Sequence, residues 1–197
     1  HYSNANVRAP NTSTNTLGLT AGLIYELDAA QPGAEPYTRW PEMPLDKRMR
    51  YNLVFRSGIN ESDVVGSGQF PFYIFSAYAD KRLAQVSAIQ VGADVFFSNF
   101  LKELIAFQSN SFPELDVDPD ADFKRVGIFI GHELFINKLS VTTQLGYYVY
   151  YPFDFEGRVY NRVGIKRYFG EKWFGAISLK SHGAKAEAIE FGVGIRL

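Results

Sequence analysis

Hydrophobic and polar residues alternate with a period of two along most of this chain. In residues 185–197, every second position is apolar from residue 189 onward: Ile189, Phe191, Val193, Ile195 and Leu197. Successive side chains of a strand point to opposite faces, so this run predicts a strand with one apolar face. Such an edge invites aggregation in water, whereas the closing strand of an outer-membrane barrel turns it toward lipid.

Nine segments with this alternation predict nine strands. They cover residues 17–27, 48–56, 70–80, 84–96, 125–136, 138–151, 158–169, 172–181 and 185–197. Several of them reach the roughly 9–11 residues that a tilted membrane strand needs. Tight connections alternate with long ones, and aromatic residues collect near the strand ends, as in outer-membrane barrels.

Alternation alone is also compatible with a soluble barrel or sandwich, in which the apolar face points inward. The strand lengths, the alternating connections and the clustered aromatic residues favour the membrane. The pattern therefore predicts an all-β fold, an antiparallel transmembrane β-barrel that occupies residues 1–197 as a single domain.

Strand parity predicts the topology. If the last strand ends in the periplasm, nine strands place His1 outside, and an odd number of strands does not close a bacterial barrel. We therefore expect the chain to be the C-terminal part of a larger, even-stranded barrel. The expected periplasmic turns are near residues 81–83, 137 and 170–171. The expected external loops are residues 57–69, 97–123, 152–157 and 182–184, with a short helix over residues 100–107.

Composition narrows the function classes. Aromatic residues make up 16% of the chain. Belts of aromatic residues at the two membrane interfaces would explain this high content. A formal net charge of −1 argues against binding to nucleic acid. The chain has no cysteine, which excludes disulfides and thiolate chemistry. No stretch approaches the roughly 20 apolar residues of a membrane helix.

The polar face of the predicted strands carries charges of both signs. They are Arg48, Arg50, Arg56, Arg158, Arg162, Asp94, Glu133 and Glu190. We expect ion pairs among them to fill the lumen, so that the barrel does not conduct. His132 is adjacent to Glu133 and faces the lipid side, so the two do not predict a metal pair, and no metal or cofactor is expected. His182 falls in an outer turn and is interpreted as structural.

One chemically suggestive cluster lies at residues 1–5, His-Tyr-Ser-Asn-Ala. In an extended chain His1 and Ser3 share a face, so the imidazole can act as a general base toward the hydroxyl. Asn4 can donate a hydrogen bond to an oxyanion. The alternative interpretation is a polar loop at a strand end, because His-x-Ser often occurs by chance.

A resemblance to known outer-membrane enzymes covers most of the sequence. Residues 1–5 (His-x-Ser-Asn-Ala), 8–11 (Arg-Ala-Pro-Asn) and 22–25 (Gly-Leu-Ile-Tyr) together resemble the active-site hairpin of the outer-membrane lipid A 3-O-deacylase family. Residues 126–152 and 172–194 are similar to strands and turns of the longer acyloxyacyl-hydrolase-like barrels of Bacteroidetes-type bacteria. In those barrels the hairpin lies mid-chain, so the resemblance also implies an N-terminal portion that precedes this sequence.

The resemblance implies an esterase that removes an acyl chain from lipid A of lipopolysaccharide in the bacterial outer membrane, without a cofactor. It assigns His1 as the base and Ser3 as the nucleophile, while Asn4 or backbone N–H groups would hold the oxyanion. The family's third catalytic residue is a glutamate, and its position here holds Asn15. Asparagine can orient an imidazole but cannot stabilise the imidazolium as a carboxylate does, so a slower reaction is expected.

A second hypothesis is a catalytically degraded relative that serves as a scaffold subunit of an outer-membrane complex for protein assembly or secretion. Asn15 favours it, and so does the proline-rich connector at residues 28–46, which falls on the periplasmic side by strand parity. The connector would contact other outer-membrane proteins, whereas the barrel wall would contact outer-membrane lipids. A plain channel is a third hypothesis.

Overall fold

Eight strands and one α-helix make up the described part of the chain. The computed structural model describes residues 45–197 except residues 63, 65 and 137. The strands are β1 (Met49–Glu61), β2 (Gln69–Ala84), β3 (Ser87–Ser98), β4 (Lys124–Ile136), β5 (Leu139–Tyr150), β6 (Val159–Phe169), β7 (Trp173–His182) and β8 (Lys185–Arg196). Helix α1 (Phe100–Ser111) and a 3₁₀ turn (Pro113–Leu115) lie between β3 and β4.

The eight strands close into an antiparallel barrel. Each strand pairs with its neighbours in sequence, and β1 pairs with β8 from Asn52 opposite Arg196 to Ser57 opposite Phe191. The predicted transmembrane β-barrel is confirmed, with eight strands instead of nine. The predicted strand at residues 17–27 lies outside the described residues. Because the barrel closes without it, parity no longer requires a larger barrel, and an N-terminal portion before this sequence stays a prediction.

The two ends of the barrel differ in their connections. We call the end with tight connections the turn end; it holds residues 85–86, Lys138 and 170–172, the start of β1 and the end of β8. We call the opposite end the loop end; it holds the described residues between β1 and β2 and the connections 99–123, 151–158 and 183–184. The alternation of turns and loops agrees with the prediction, and α1 includes the predicted helix. Two positions were wrong, because residues 81–83, predicted as a turn, belong to β2, and β1 extends to Glu61 into the predicted loop.

The outer wall of the barrel is apolar. Leu145, Ile165 and Val193 lie near the middle of β5, β6 and β8, and their side chains are 54%, 57% and 59% exposed. A continuous apolar belt around a closed barrel is the surface that lipid tails cover. The soluble alternative is therefore wrong, because it required these side chains to pack inside.

Aromatic side chains pack inside the barrel with the polar groups. They are Phe72, Tyr78, Phe96, Phe129, Tyr148, Tyr160 and Phe174. The ring of Tyr160 lies against Gly146, where an added Cβ would come within 2.0 Å of a ring carbon. The high aromatic content is therefore explained by the filling of the lumen as well as by outward residues near the strand ends.

Helix α1 covers the loop end. Phe100, Leu101 and Leu104 of the helix are buried against Phe155 and its neighbours in the connection between β5 and β6. In that connection, the Tyr151 hydroxyl bonds the backbone of Phe155, and burial raises the pKa of Tyr151 to about 12. Within the described ranges, no helix combines the length and apolar character needed to cross a membrane.

Candidate functional site

The residues predicted to carry catalysis lie outside the described residues. These are His1, Ser3, Asn4 and Asn15, and the connector at residues 28–46 is described only from Leu45 onward. Leu45 and Asp46 immediately precede β1, so the chain enters the barrel at the turn end. The catalytic assignments therefore stay predictions, and the described chemistry is that of the barrel itself.

A serine and a histidine meet on the outer wall. Ser87 is the first residue of β3, and its partner in the strand register is Leu134 of β4. His132 lies two residues from Leu134, on the same face. The Ser87 Oγ atom lies 2.8 Å from His132 Nε2. Both side chains face the lipid side, as predicted for His132. A hydroxyl paired with Nε2 has the arrangement needed for a general base to accept its proton.

An apolar groove runs along the outer wall beside this pair. One part is lined by Ile130, Leu145 and Val163 and reaches His132 and Thr143. The part nearer the loop end is lined by the apolar side chains of Val91, Ile128, Ile130, Leu145, Tyr147 and Val159. An apolar groove that leads to a polar pair suits an acyl chain whose ester or headgroup lies at the membrane surface.

The outer-wall pair lacks the third group of a hydrolase triad among the described residues. The carboxylate nearest in sequence, Glu133, points into the lumen, where it accepts a hydrogen bond from Lys166 Nζ at 2.8 Å. No described carboxylate hydrogen-bonds His132 Nδ1. Without a carboxylate partner, a protonated His132 is not stabilised. The pair of Ser87 and His132 is therefore better suited to hydrogen bonding with a lipid than to catalysis.

A charge cluster occupies the middle of the lumen. Arg162 donates to Asp94 Oδ2 at 2.9 Å and to Glu190 Oε2 at 2.7 Å. Arg56 lies 3.9 Å from Asp94 and 3.7 Å from Glu190, and Tyr160 donates to Asp94 at 2.8 Å. All four charged side chains are buried. Buried charges of this kind need full pairing to be tolerated, and here each has a partner of opposite sign.

A second cluster lies in the lumen near the loop end. Glu187 accepts from Arg125 at 2.7 Å and from Lys180 at 2.6 Å, and it lies 3.2 Å from His182 Nδ1. The other ring nitrogen of His182 lies 3.2 Å from the Tyr148 hydroxyl. The structural interpretation of His182 is thereby supported, because both of its nitrogens contact buried groups of the network.

Glu187 faces the lumen because of an irregularity in strand pairing. Lys180 of β7 pairs with Ala188, whereas Ser181 pairs with Ala186, so Glu187 is left without an opposite residue. Such a β-bulge adds one residue to a strand and redirects its side chain. Strict alternation through β8 would have pointed Glu187 outward with Ile189 and Phe191.

A third cluster lies near the turn end and is linked to the middle one. Glu133 accepts hydrogen bonds from Lys166 Nζ at 2.8 Å and from the Tyr168 hydroxyl at 2.7 Å. In the same cluster, Arg196 donates to Asp80 at 3.2 Å. The link runs through two amides, from Arg162 through Gln144 and Gln90 to Glu133, with distances of 2.8, 2.9 and 2.5 Å.

The lumen network agrees in part with the prediction. Arg56, Arg162, Asp94, Glu133 and Glu190 are inside, as predicted. The other three predicted members are elsewhere, since Arg158 is exposed over the Tyr151 ring, while Arg48 and Arg50 pair with Asp46 at the turn end. Paired charges and aromatic rings fill the described interior, which argues against the channel hypothesis.

Sequence reasoning missed several functional candidates. Ser87 was not singled out, since its partner lies 45 positions away along the chain and the signal appears only in the strand register. Arg125, Lys166, Lys180, Glu187 and Arg196 were not singled out as members of the lumen network. For all of them except Glu187, the alternation of their strands carried the signal. Among the described residues, no group of three or more His, Asp or Glu could hold a metal ion.

Comparison with known families identifies the barrel. A family model described as "Acyloxyacyl hydrolase, C-terminal domain" matches residues 49–197. The chain belongs to this family. The match begins at the first residue of β1 and runs to the end of the chain, so it includes the whole closed barrel. The predicted resemblance to acyloxyacyl hydrolases is confirmed. No curated protein matches the chain.

Two solved structures resemble the acyloxyacyl hydrolase barrel. One is titled "De novo design of transmembrane beta-barrels"; it is 8% identical, with a TM-score of 0.42, and the match covers 79% of this chain and 98% of that one. The other is titled "KdgM porin"; it is 7% identical, with a TM-score of 0.27, and the match covers 76% of this chain and 98% of that one. Likenesses this distant carry no argument about function.

Proposed function

We propose that this chain is part of a bacterial outer-membrane esterase that removes an acyl chain from lipid A of lipopolysaccharide. In this proposal Ser3 and His1 carry the chemistry, and the barrel holds them at the membrane. The observation that carries the proposal is that an acyloxyacyl hydrolase domain forms a closed barrel with an apolar belt. An enzyme whose substrate is itself a membrane lipid needs such an anchor.

The positions of the candidate groups indicate which part of the chain binds the membrane and which part carries the reacting groups. The barrel closes with residues of β1 to β8 alone, so its wall does not need residues 1–44. Its lumen is filled with paired charges, and its outer Ser–His pair has no described carboxylate partner. The described barrel thus supplies membrane binding rather than the full set of reacting groups. The motif that resembles a deacylase hairpin lies before it in the chain, at residues 1–25.

The proposed reaction has two steps. Ser3 Oγ attacks the ester carbonyl carbon while His1 accepts the hydroxyl proton, and Asn4 stabilises the oxyanion. The carbon–oxygen bond to the sugar then breaks, and His1 returns the proton to the sugar oxygen. Water next attacks the acyl-serine with His1 as base, which releases the fatty acid and restores Ser3. Asn15 would orient the imidazole without stabilising its charge.

The test compares variants of the full chain reconstituted with purified lipid A, with released fatty acid measured by mass spectrometry. Ser3→Ala is expected to lower the rate at least about a thousandfold, because it removes the nucleophile. Asn15→Glu is expected to raise it about tenfold or more, because a carboxylate stabilises the imidazolium. Ser87→Ala is the matched control, since it removes the other serine that is paired with a histidine.

The outcomes distinguish Ser3 from Ser87 as the nucleophile. Loss of release in Ser3→Ala with retention in Ser87→Ala supports the proposal. Retention of release in Ser3→Ala with loss in Ser87→Ala would instead assign catalysis to Ser87 and His132. Equal background release from wild type, Ser3→Ala and Asn15→Glu would rule out the enzyme.

A second candidate function is a scaffold subunit without hydrolase activity. It is favoured by Asn15 at the position of the family's glutamate and by the lumen, which paired charges and aromatic rings fill in the described part of the chain. In this case the connector at residues 28–46 would contact other outer-membrane proteins. Stoichiometric partners that co-purify with the native protein, and are lost when residues 31–36 (Gln-Pro-Gly-Ala-Glu-Pro) are replaced by a glycine–serine linker, would support it. Purification of the native protein without stoichiometric partners would contradict it.

A further inference from the structure

The turn end of the barrel carries a ring of exposed basic side chains. We call it the basic collar; its members are Lys47, Lys81, Lys138, Arg167 and Lys172. They are distributed around the circumference, since they belong to the segment just before β1, to β2, to the turn after β4, to β6 and to the turn after β6. Because these side chains are spread around the barrel, they can each contact a different molecule, and they do not point together at one small ligand.

The collar charges are not neutralised within the described residues. No described carboxylate forms an ion pair with a collar side chain. Asp46 is occupied by Arg48, with its Oδ1 atom 3.0 Å from Arg48 Nε, and by Arg50, with its Oδ2 atom 2.9 Å from Arg50 Nη2. Those two arginines hold the pKa of Asp46 below its usual range, which keeps it ionised and committed to them. Among the described residues of the turn end, Glu171 is an exposed acidic residue, and it lies beside Lys172 in the sequence.

The collar lies at the edge of the apolar belt. Lys81 has Met49 opposite it on β1 and Ile89 opposite it on β3, and both of these side chains are exposed on the outer wall. Lys172 immediately precedes the exposed Trp173. Basic side chains next to lipid-facing residues, with a tryptophan among them, occupy the depth at which lipid headgroups begin.

The loop end has the opposite charge. Its connections carry these exposed acidic residues: Glu103, Glu114, Asp116, Asp118, Asp120 and Asp154. Two basic residues there pair with carboxylates, since Lys124 lies 3.6 Å from Asp122 and Lys185 pairs with Glu156. The two ends therefore differ in the lipid surfaces that they can approach.

We propose that the basic collar binds the phosphate groups of anionic phospholipids in the leaflet that surrounds the turn end. The attraction is electrostatic, and it acts within about a Debye length, roughly 8 Å at physiological ionic strength. The collar ring and the acidic loop end together favour one orientation of the barrel in a membrane whose leaflets differ in charge. This inference does not depend on the hydrolase proposal, because it uses residues of the barrel alone.

Trp173 provides a direct probe of the lipids beside the collar. The full chain with Trp40→Phe leaves Trp173 as the remaining tryptophan, since the sequence has two. This protein would be reconstituted in vesicles that contain brominated phosphatidylglycerol or brominated phosphatidylcholine, and quenching of Trp173 would be measured. We expect about a fivefold preference for phosphatidylglycerol, because each basic residue near an anionic surface contributes about that factor. The preference is expected to fall at high salt.

Two variants test whether the collar causes the preference. Arg167→Gln with Lys172→Gln removes the collar charges near Trp173 and should bring the preference close to one. Lys102→Gln with Lys124→Gln removes exposed basic residues at the loop end and should leave it unchanged. Unboiled gel mobility checks that each variant is a folded barrel. Equal quenching by both lipids in the wild-type background, or an unchanged preference in the collar variant, would overturn the proposal.

Discussion

The inner and outer walls of this barrel are built from the same strands, yet they obey different rules. On β6, Val163 and Ile165 face outward, while their neighbours Arg162 and Lys166 face inward and are buried. The outer side chains share one property, apolarity, and lipid tails accept many shapes. The inner side chains satisfy particular partners at hydrogen-bond distances. The outer wall should therefore tolerate exchanges among apolar residues, whereas the inner wall should not tolerate the loss of a single member.

The largest difference between the walls is expected at Arg162. Arg162→Met removes the side chain that bonds both Asp94 and Glu190, and it leaves the more distant Arg56 as the cation paired with these two buried carboxylates. Breaking a buried pair in this way costs about 3–5 kcal/mol of unfolding free energy. Urea unfolding of the protein in phospholipid vesicles, followed by gel mobility, measures the loss.

The neighbour of Arg162 supplies the control. Val163→Leu changes the adjacent residue on the outer wall and should cost less than about 1 kcal/mol, because lipid accommodates the added volume. The double variant Arg162→Met, Asp94→Asn should recover part of the loss, since the remaining buried carboxylate, Glu190, keeps Arg56 as its partner. If Arg162→Met were no more harmful than Val163→Leu, the lumen network would not stabilise the barrel.

A smaller effect is expected from charge placed on the outer wall. Ile165→Arg puts a cation near the middle of the apolar belt, where the cost is about 2–4 kcal/mol. Leu139→Arg makes the same change on the first residue of β5, near the turn end, where the cost falls to about 0–1 kcal/mol. The same unfolding assay measures both. Equal costs at the two positions would contradict the placement of the membrane.

The smallest of the three effects concerns packing inside the lumen. Gly146→Ala puts a methyl group within 2.0 Å of the Tyr160 ring, so the ring must move and its hydrogen bond to Asp94 must stretch. Overpacking of this kind costs about 1–3 kcal/mol. Gly175→Ala is the control, since its nearest neighbour would be 3.4 Å away. A similar stability for both variants would mean that the Tyr160 contact is easily relaxed.

The outer wall could be predicted from the sequence because its rule is periodic. Each described strand from β1 to β8 overlaps a predicted segment, although β1 and β2 extend beyond theirs to Glu61 and Ala84. In β5 the alternating apolar residues Leu145, Tyr147 and Val149 face outward. The facing of β2 could not be assigned, because it carries apolar and aromatic residues on both walls. Phe72, Ile74 and Tyr78 are buried inside, while Tyr73 and Phe75 are exposed outside.

The candidate sites could be predicted less well, because they depend on pairing between strands. Ser87 and His132 meet only through the register of β3 with β4, which the spacing along the chain does not encode. Arg158 was expected inside because its residue type and position fit the polar face of β6. It precedes the first residue of β6 and belongs to the loop, where its position in the alternation has no meaning.

The unpaired position of Glu187 has a wider consequence for how such barrels can change. One extra residue in the hairpin between β7 and β8 turns the Glu187 carboxylate into the lumen, where Arg125, Lys180 and His182 contact it. The rest of β8 keeps the same side chains facing inward and outward. An insertion or deletion of a single codon near that hairpin could therefore alter the chemistry of the interior in one step. The surrounding bilayer would still meet an almost identical surface.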